Sequence, residues 1–428
     1  MTGLAALTLT AVVLAGCAGG DAAAPAPSFD PDEEVTIDFA FWGNDVRAEL
    51  YDEAIAAFNE EYPNITVRTS FLAWTEYWEK RQTEAAGKNL PDVIQNDMNY
   101  LRQYDQNGLL LDLTPYLGGI IDDESVPESV LQNGVLDGRT IGIPVSTNAM
   151  GMFGNTALTA ELGVEPFEGG SWDDYDAWLA DAKEGADAAG LAVWGGANYA
   201  SAMQVFEMMQ RAKGEDLFTE DGEVNFTKED LTEYWSIGQE LFAEGVVIPQ
   251  VRLEELLPNT GMGVGEQATE ITWDSMGAGF QATLGEQYQE LEIMAPPVTV
   301  EGAKDLYRKA GMLYSAAATT DAPEASATFI DFLTNSPEVG AIFGTNRGFP
   351  ASSTQLEGTE ITGISAQVQE YEESVADRFG DAPPVPVIGY GPIEQKFREI
   401  GTELGFGSLT VKDAVDQFFT EMDVLLAQ

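Results

Sequence analysis

Acid–base chemistry in this chain falls to its carboxylates: 72 Asp and Glu stand against 20 Lys and Arg, and there is no histidine. The missing imidazole removes Ser-His-Asp and Cys-His catalysis, histidine-ligated zinc and the commonest general base. No Gly-x-Ser-x-Gly elbow, Ser-x-x-Lys dyad, Walker loop or Gly-x-Gly-x-x-Gly turn occurs. Glycoside hydrolysis by paired carboxylates is the enzyme class left open, but in so acidic a chain a pair can be picked anywhere. No Asp-x-Asp-x-Asp-Gly calcium loop is present, and Asp221-Gly222-Glu223 reads as a turn. The formal charge of −52 repels nucleic acid and anionic lipid headgroups, so neither is expected as a partner.

The single thiol, Cys17, closes the apolar run Leu4–Gly16. That run is shorter than the roughly 20 residues needed to span a bilayer, but it suits the apolar part of a secretory signal. Leu14-Ala15-Gly16-Cys17 resembles the bacterial lipobox, in which the cysteine is lipidated and becomes the mature N-terminus. The first basic residue is Arg47, whereas signals begin with Lys or Arg, so the true start is expected upstream of Met1. Residues 18–34, rich in Gly, Ala, Pro and acidic residues, suit a tether. The expectation is a body held by lipid on the extracellular face of a bacterial membrane, touching the membrane only there. About 400 residues follow Cys17, more than one core usually serves, so two lobes are expected. The mature body would have no disulfide.

From Val35 the pattern alternates between strand and helix. Val35–Ala40 reads as a strand, followed by a helix with Leu50, Ala54, Ala57, Phe58 and Tyr62 on one face. A strand at Ile65–Phe71, a helix from Trp74 to Lys88, a short strand at Leu90–Gln95 and a helix from Tyr100 to Asn107 come next. Such alternation predicts parallel strands with right-handed crossovers. Asp137-Gly138 predicts a hairpin. After Ser146-Thr147-Asn148 a second α/β region begins, with Ser171 capping a helix, a strand ending at Trp273 and a small-residue strand at Gly311–Ala318 returning to the first sheet.

In this order several segments resemble the extracellular solute-binding proteins of carbohydrate ABC importers, the family of maltose- and multiple-sugar-binding proteins. They are Phe41-Trp42-Gly43-Asn44-Asp45, Tyr62-Pro63-Asn64-Ile65, Pro91-Asp92-Val93-Ile94, Gly142-Ile143-Pro144, Phe332-Leu333-Thr334-Asn335-Ser336-Pro337-Glu338 and Arg347-Gly348-Phe349-Pro350. The resemblance implies an α/β, two-lobed periplasmic-binding-protein fold of type II, each lobe a mainly parallel sheet flanked by helices, with the ligand cleft between lobes. The lobes are assigned to 35–146 plus 310–346 and to 149–296 plus 351–428, with hinges near 146–149, 296–309 and 347–351. It also implies a monomer without cofactor or metal, which performs no chemistry and delivers a carbohydrate to an ABC permease.

A sugar offers a weakly apolar face and a rim of hydroxyls. Flat aromatic rings meet the face, and Asp, Asn, Arg and Gln meet the rim through hydrogen bonds of modest net worth, so several must converge. The resemblance puts such residues where strands end and helices begin, which an open parallel sheet also favours. The candidates after the first strand are Trp42, Asn44, Asp45 and Arg47. Core packing stays open for Trp42, capping for Asn44 and Asp45, and a solvated role for Arg47. Trp74 follows the second strand, while Tyr77 and Trp78 are assigned to the core. Asn96 and Asp97 follow the third strand at the family's ligand position. In the second lobe Trp273 with Asp274 ends a strand where the family supplies a stacking tryptophan, and Trp194, Asn198 and Tyr199 flank Gly195-Gly196. Arg347 and Phe349 lie in the third crossing, and Tyr390 is flanked by glycines. Trp172, Trp178 and Trp235 are assigned to helix cores. A binding protein for another solute remains the alternative beside the hydrolase.

Overall fold

The structure, a computed structural model, describes residues 34–43, 45–257, 259–286 and 290–427. The signal segment, Cys17, the tether to residue 33 and Asn44 lie outside the described residues.

The first strand, β1 (Val35–Trp42), buries Ile37, Phe39 and Phe41 through the two-residue period of a pleated strand. Helix α1 (Asp45–Glu61) answers with Tyr51, Ala54, Ile55 and Phe58 on one face. Next come β2 (Ile65–Leu72), α2 (Trp74–Ala86), β3 (Val93–Asn96) and α3 (Met98–Gln106). The crossover helices dictate the sense of the strands: β1 pairs in parallel with β2 along its whole length and with β3 through Phe39 and Ala40.

The hairpin forms as read, β4 (Val135–Leu136) against β5 (Arg139–Thr140), with Asp137 at φ 50° and Gly138 at φ 73°. Two left-handed residues in succession are what a type I′ turn requires. Next, β6 (Ile143–Asn148) enters the first sheet, and one residue later β7 (Met150–Asn155) opens a second, completed by β8 (Trp194–Gly196), β9 (Gln267–Trp273) and β10 (Leu291–Met294). Strands β11 (Lys309–Ala316) and β12 (Phe349–Pro350) return to the first sheet. Its order is β12-β6-β11-β3-β1-β2, and that of the second is β10-β7-β9-β8.

The expectation of mainly parallel sheets is corrected here. β11 runs antiparallel to both β3 and β6, and β12 is antiparallel to β6. In the second sheet β7 is antiparallel to β9 and β10, and β8 with β9 is parallel. Both sheets are therefore mixed. β11 arrives directly from the other sheet and not over a crossover helix, so the right-handed βαβ rule does not govern its sense.

Aromatic packing fills both bodies. On one face of the first sheet Phe39, Tyr51, Phe58 and Phe329 meet edge to face; the other face holds Tyr77, Trp78, Ile94, Leu101 and Leu313. Beside the second sheet, Phe206, Tyr234, Trp235, Phe397 and Phe418 form the centre of a larger core. Trp172 and Trp235 are buried there and Trp178 packs at its edge. The Ser171 cap is a complete capping box with Asp174.

The helix Ser353–Gly358 lies on the helix Pro337–Phe343, closely enough that a Cβ on Gly340 would sit 2.1 Å from the Gln355 carbonyl oxygen and one on Gly358 1.8 Å from that of Pro337. Gln355 also donates to the Leu333 carbonyl at 2.9 Å. Both helices pack beside the first-sheet body.

Candidate functional site

A narrow cavity lies where the two bodies meet. Its walls come from Met98 and Asn99 at the start of α3, Gln204 and Glu207 on the helix Met203–Arg211, Trp273 at the end of β9 and the stretch holding Tyr307 and Lys309. Leu217, Phe218, three prolines at 383, 384 and 386, and Tyr390 with Glu394 at the start of the helix Tyr390–Gly405 complete it.

Several of the polar groups are held from behind. The Trp273 ring meets Tyr307 edge-on at 6.2 Å, and Lys309 Nζ stands 5.4 Å from the centre of the Trp273 ring. Tyr307 donates its hydroxyl to Glu207 Oε2 at 2.8 Å, with the Arg211 guanidinium 4.9 Å from the centre of the Tyr307 ring. Gln204 and Arg398 both donate to Glu394. Burial pushes the Glu207 carboxyl above the usual range; the Tyr307 hydroxyl and then Arg211 oppose it. Burial raises Asp97 in the same way, with Lys309 as the main opposing influence. The result is an aromatic wall bordered by an ammonium, an amide and carboxyls already engaged in hydrogen bonds, suited to holding a polar ligand with an apolar face.

Of the candidates read from the sequence, Trp273 and Tyr390 line this cavity. Asp97 stands at its edge as the N-cap of α3, accepting from Asn99 N at 2.9 Å. Trp42 packs edge-on against Trp74 at 4.9 Å, in a cluster with Tyr77 and Trp78. Trp78 stacks on Tyr100 at 3.7 Å, which joins the cluster to α3. Trp74 keeps 44% of its surface exposed. Asp45 is exposed at the start of α1, and Arg47 donates to Asn346.

Other candidates are spent on structure. Asn96 is buried, donating to Ser315 Oγ and accepting from Asp97 N. Asn198 caps a short turn through Ala200 N, and Tyr199 is buried against Trp172 with its hydroxyl on Asp176. Trp194 pairs with Gln267, six residues ahead of Trp273 on β9; at about 3.3 Å per residue that is roughly 20 Å from the cavity. Arg347 is buried, donating to the Tyr314 hydroxyl at 2.7 Å and to Gln355, with its guanidinium over Phe343. Asn96, Tyr199 and Arg347 thus have side-chain partners distant in sequence, which local spacing does not reveal.

Asp274 and Phe349 line a separate small cavity beside the passages between the sheets. The Asp274 carboxylate accepts from Ala149 N at 2.9 Å, and burial together with neighbouring Glu372 raises its pKa well above the usual range. Glu372 in turn accepts from Arg308 at 2.8 Å.

Glu207, Gln204, Tyr307, Lys309 and Phe218 were not singled out from sequence. Tyr307 and Lys309 fall within the stretch 296–309 read as a crossing, which was the available signal. Gln204 and Glu207 sit on the helix Met203–Arg211, where no local pattern pointed to a site.

The family model of bacterial extracellular solute-binding proteins matches residues 53–373. Binding proteins of Brucella abortus and Brucella suis are 23% identical over 209 residues, 47% of this chain and 48% of theirs, so the chain spans about half the length of the curated relatives it matches. Among solved structures, an extracellular solute-binding protein of family 1 from Alicyclobacillus acidocaldarius superposes with a TM-score of 0.74 at 27% identity, covering 93% of this chain and 100% of that one. A periplasmic oligogalacturonide-binding protein of Yersinia enterocolitica has a TM-score of 0.75 at 21% identity, with 92% and 99% covered. An ABC substrate-binding protein of Listeria monocytogenes in complex with cycloalternan gives 0.72 at 19%, with 91% and 100% covered. No helix among the described residues is long and apolar enough to cross a membrane. With a family model spanning three-quarters of its length, this chain belongs to the bacterial extracellular solute-binding proteins.

Proposed function

We propose that the protein captures a sugar or oligosaccharide in the cavity between two lobes, closes around it by hinge motion and delivers it to an ABC permease. The observation that carries this reading is the Trp273–Tyr307 wall bordered by Lys309, Gln204, Glu207 and Glu394. The sugars named for the Yersinia and Listeria neighbours support it. The lobes are the two sheet bodies, and the chain crosses between them at Ala149, between Met294 and Lys309, and after Gly358. Cys17 carries the lipid that keeps the monomer at the extracellular face of the membrane. The protein does no chemistry and needs no cofactor.

The test is thermal-shift screening of the chain against mono- and oligosaccharides, oligogalacturonides and cycloalternan among them. A ligand at about 100 times its dissociation constant adds about 2.7 kcal/mol. A clear shift, with the sugar recovered intact, supports the reading. Recovery of cleaved sugar favours a hydrolase, and no shift with any sugar directs the search to other solutes.

A further inference from the structure

Arg102 lies on α3, in the first lobe, and its guanidinium reaches across to the second. Nε donates to the Pro386 carbonyl at 3.2 Å, and Nη2 donates to the carbonyls of Val385 at 2.8 Å and Glu220 at 3.3 Å. These acceptors come from two separate segments of chain.

The segment 381–387 reads Asp-Ala-Pro-Pro-Val-Pro-Val. Its base belongs to the second lobe: Phe379 bridges to Leu306, Arg378 is paired with Asp305 at 2.6 Å and donates to the Pro296 carbonyl at 2.7 Å. Beyond it, Val387 is buried in the second-lobe core. Between these anchors Val385 is 4% exposed and packs with the first-lobe cluster of Met98, Leu101 and Leu136. The turn carrying Glu220 leans on the same segment, since a Cβ on Gly222 would meet Val387 at 3.3 Å. The three prolines between base and tip face the ligand cavity. Their fixed φ stiffens the segment, so little chain entropy is lost when it docks.

We propose that 381–387 is a strap that closes the cleft and that Arg102 is its latch. A planar guanidinium, charged at every physiological pH, presents several donors at once to carbonyls in a fixed arrangement, which lysine cannot reproduce. Opening the lobes separates Arg102 from all three carbonyls and pulls Val385 from its apolar seat, so both act only in the closed state. Arg102 is a positioning residue: it does not itself line the cavity, yet it sets the closed fraction and with it the apparent affinity for solute. The proposal rests on the two-lobed capture reading given above.

The test needs no solute. In the full chain carrying Cys17→Ser, cysteines placed at two exposed sites, Glu79→Cys and Glu229→Cys, take spin labels, and distances between them are measured by pulsed EPR. Arg102→Gln is expected to lower the ratio of short to long separations at least tenfold with unchanged circular dichroism. Val385→Ala is expected to shift it in the same direction without touching Arg102, and it decides the matter should Arg102→Gln fail to fold. A distribution the same in Arg102→Gln as in the parent overturns the latch, even if a sugar then binds. A shift in distance alongside a sugar screen with no hit keeps the latch and overturns only the sugar reading.

Discussion

Trp273 is half-buried, held edge-on by Tyr307 and overlooked by Lys309. On the proposed capture reading, a ring so placed gives a ligand its apolar platform while contributing only part of its surface to the core. Trp273→Ala is therefore expected to weaken solute binding at least tenfold, about 1.4 kcal/mol, and to leave the thermal midpoint within a few degrees. Titration calorimetry beside scanning calorimetry checks both, and loss of folding would make the residue a core tryptophan. Tyr307 works differently, since its hydroxyl is a donor to buried Glu207. Tyr307→Phe leaves that carboxyl one partner short, at a cost of about 1–3 kcal/mol, read from denaturant unfolding. The two residues also differ in how visible they were. Trp273 stands at the end of an alternating strand, a local signal, whereas Tyr307 and Lys309 sit in an irregular stretch and reach the cavity only because β11 returns to the first sheet. Arg347, by contrast, donates to the hydroxyl of Tyr314, 33 residues away, a partner its local sequence does not show.

Strand β9 shows how one element serves both stability and the site. Its last residue is Trp273, and three residues earlier Glu270 has its pKa pushed up to about 7 by burial, against a hydrogen bond from Gln267. A carboxyl raised in the folded state favours folding only while it is protonated. Its contribution is complete below about pH 4.5, the usual value, and is lost as pH rises through about 7; a change of that size corresponds to about 3 kcal/mol between the limits. Glu270→Gln, which cannot ionise, is expected to raise the thermal midpoint at pH 8 and to change it little at pH 4.5. Equal effects at both pH values would show that the carboxyl is ionised in the folded protein. Neither the burial nor the pairing of β9 between β7 and β8 could be read from Thr269–Trp273 alone, because both partners are distant in sequence.

For the whole molecule the dominant quantity is charge, −52 over 428 residues. Twenty cations cannot pair 72 anions, so most carboxylates repel one another across the surface, and such repulsion opposes the compact state. The Debye length falls from about 30 Å at 0.01 M salt to about 3 Å at 1 M. The thermal midpoint is accordingly expected to climb by several degrees as sodium chloride is raised over that range; a flat or falling profile would show that the carboxylates are already well spaced. The sequence by itself determined the order and type of the elements from β1 through α3. Periodicity, caps and turn residues act within a few positions of the chain and can be read there. Tertiary structure alone decided that β6, β11 and β12 run antiparallel to their neighbours, that Asn96, Asn198 and Arg347 turn inward, and that Lys309 and Glu207 meet at one cavity. Those outcomes depend on which distant segment supplies a partner for each strand edge and each buried polar group, and that is settled only when the chain passes between its two sheets.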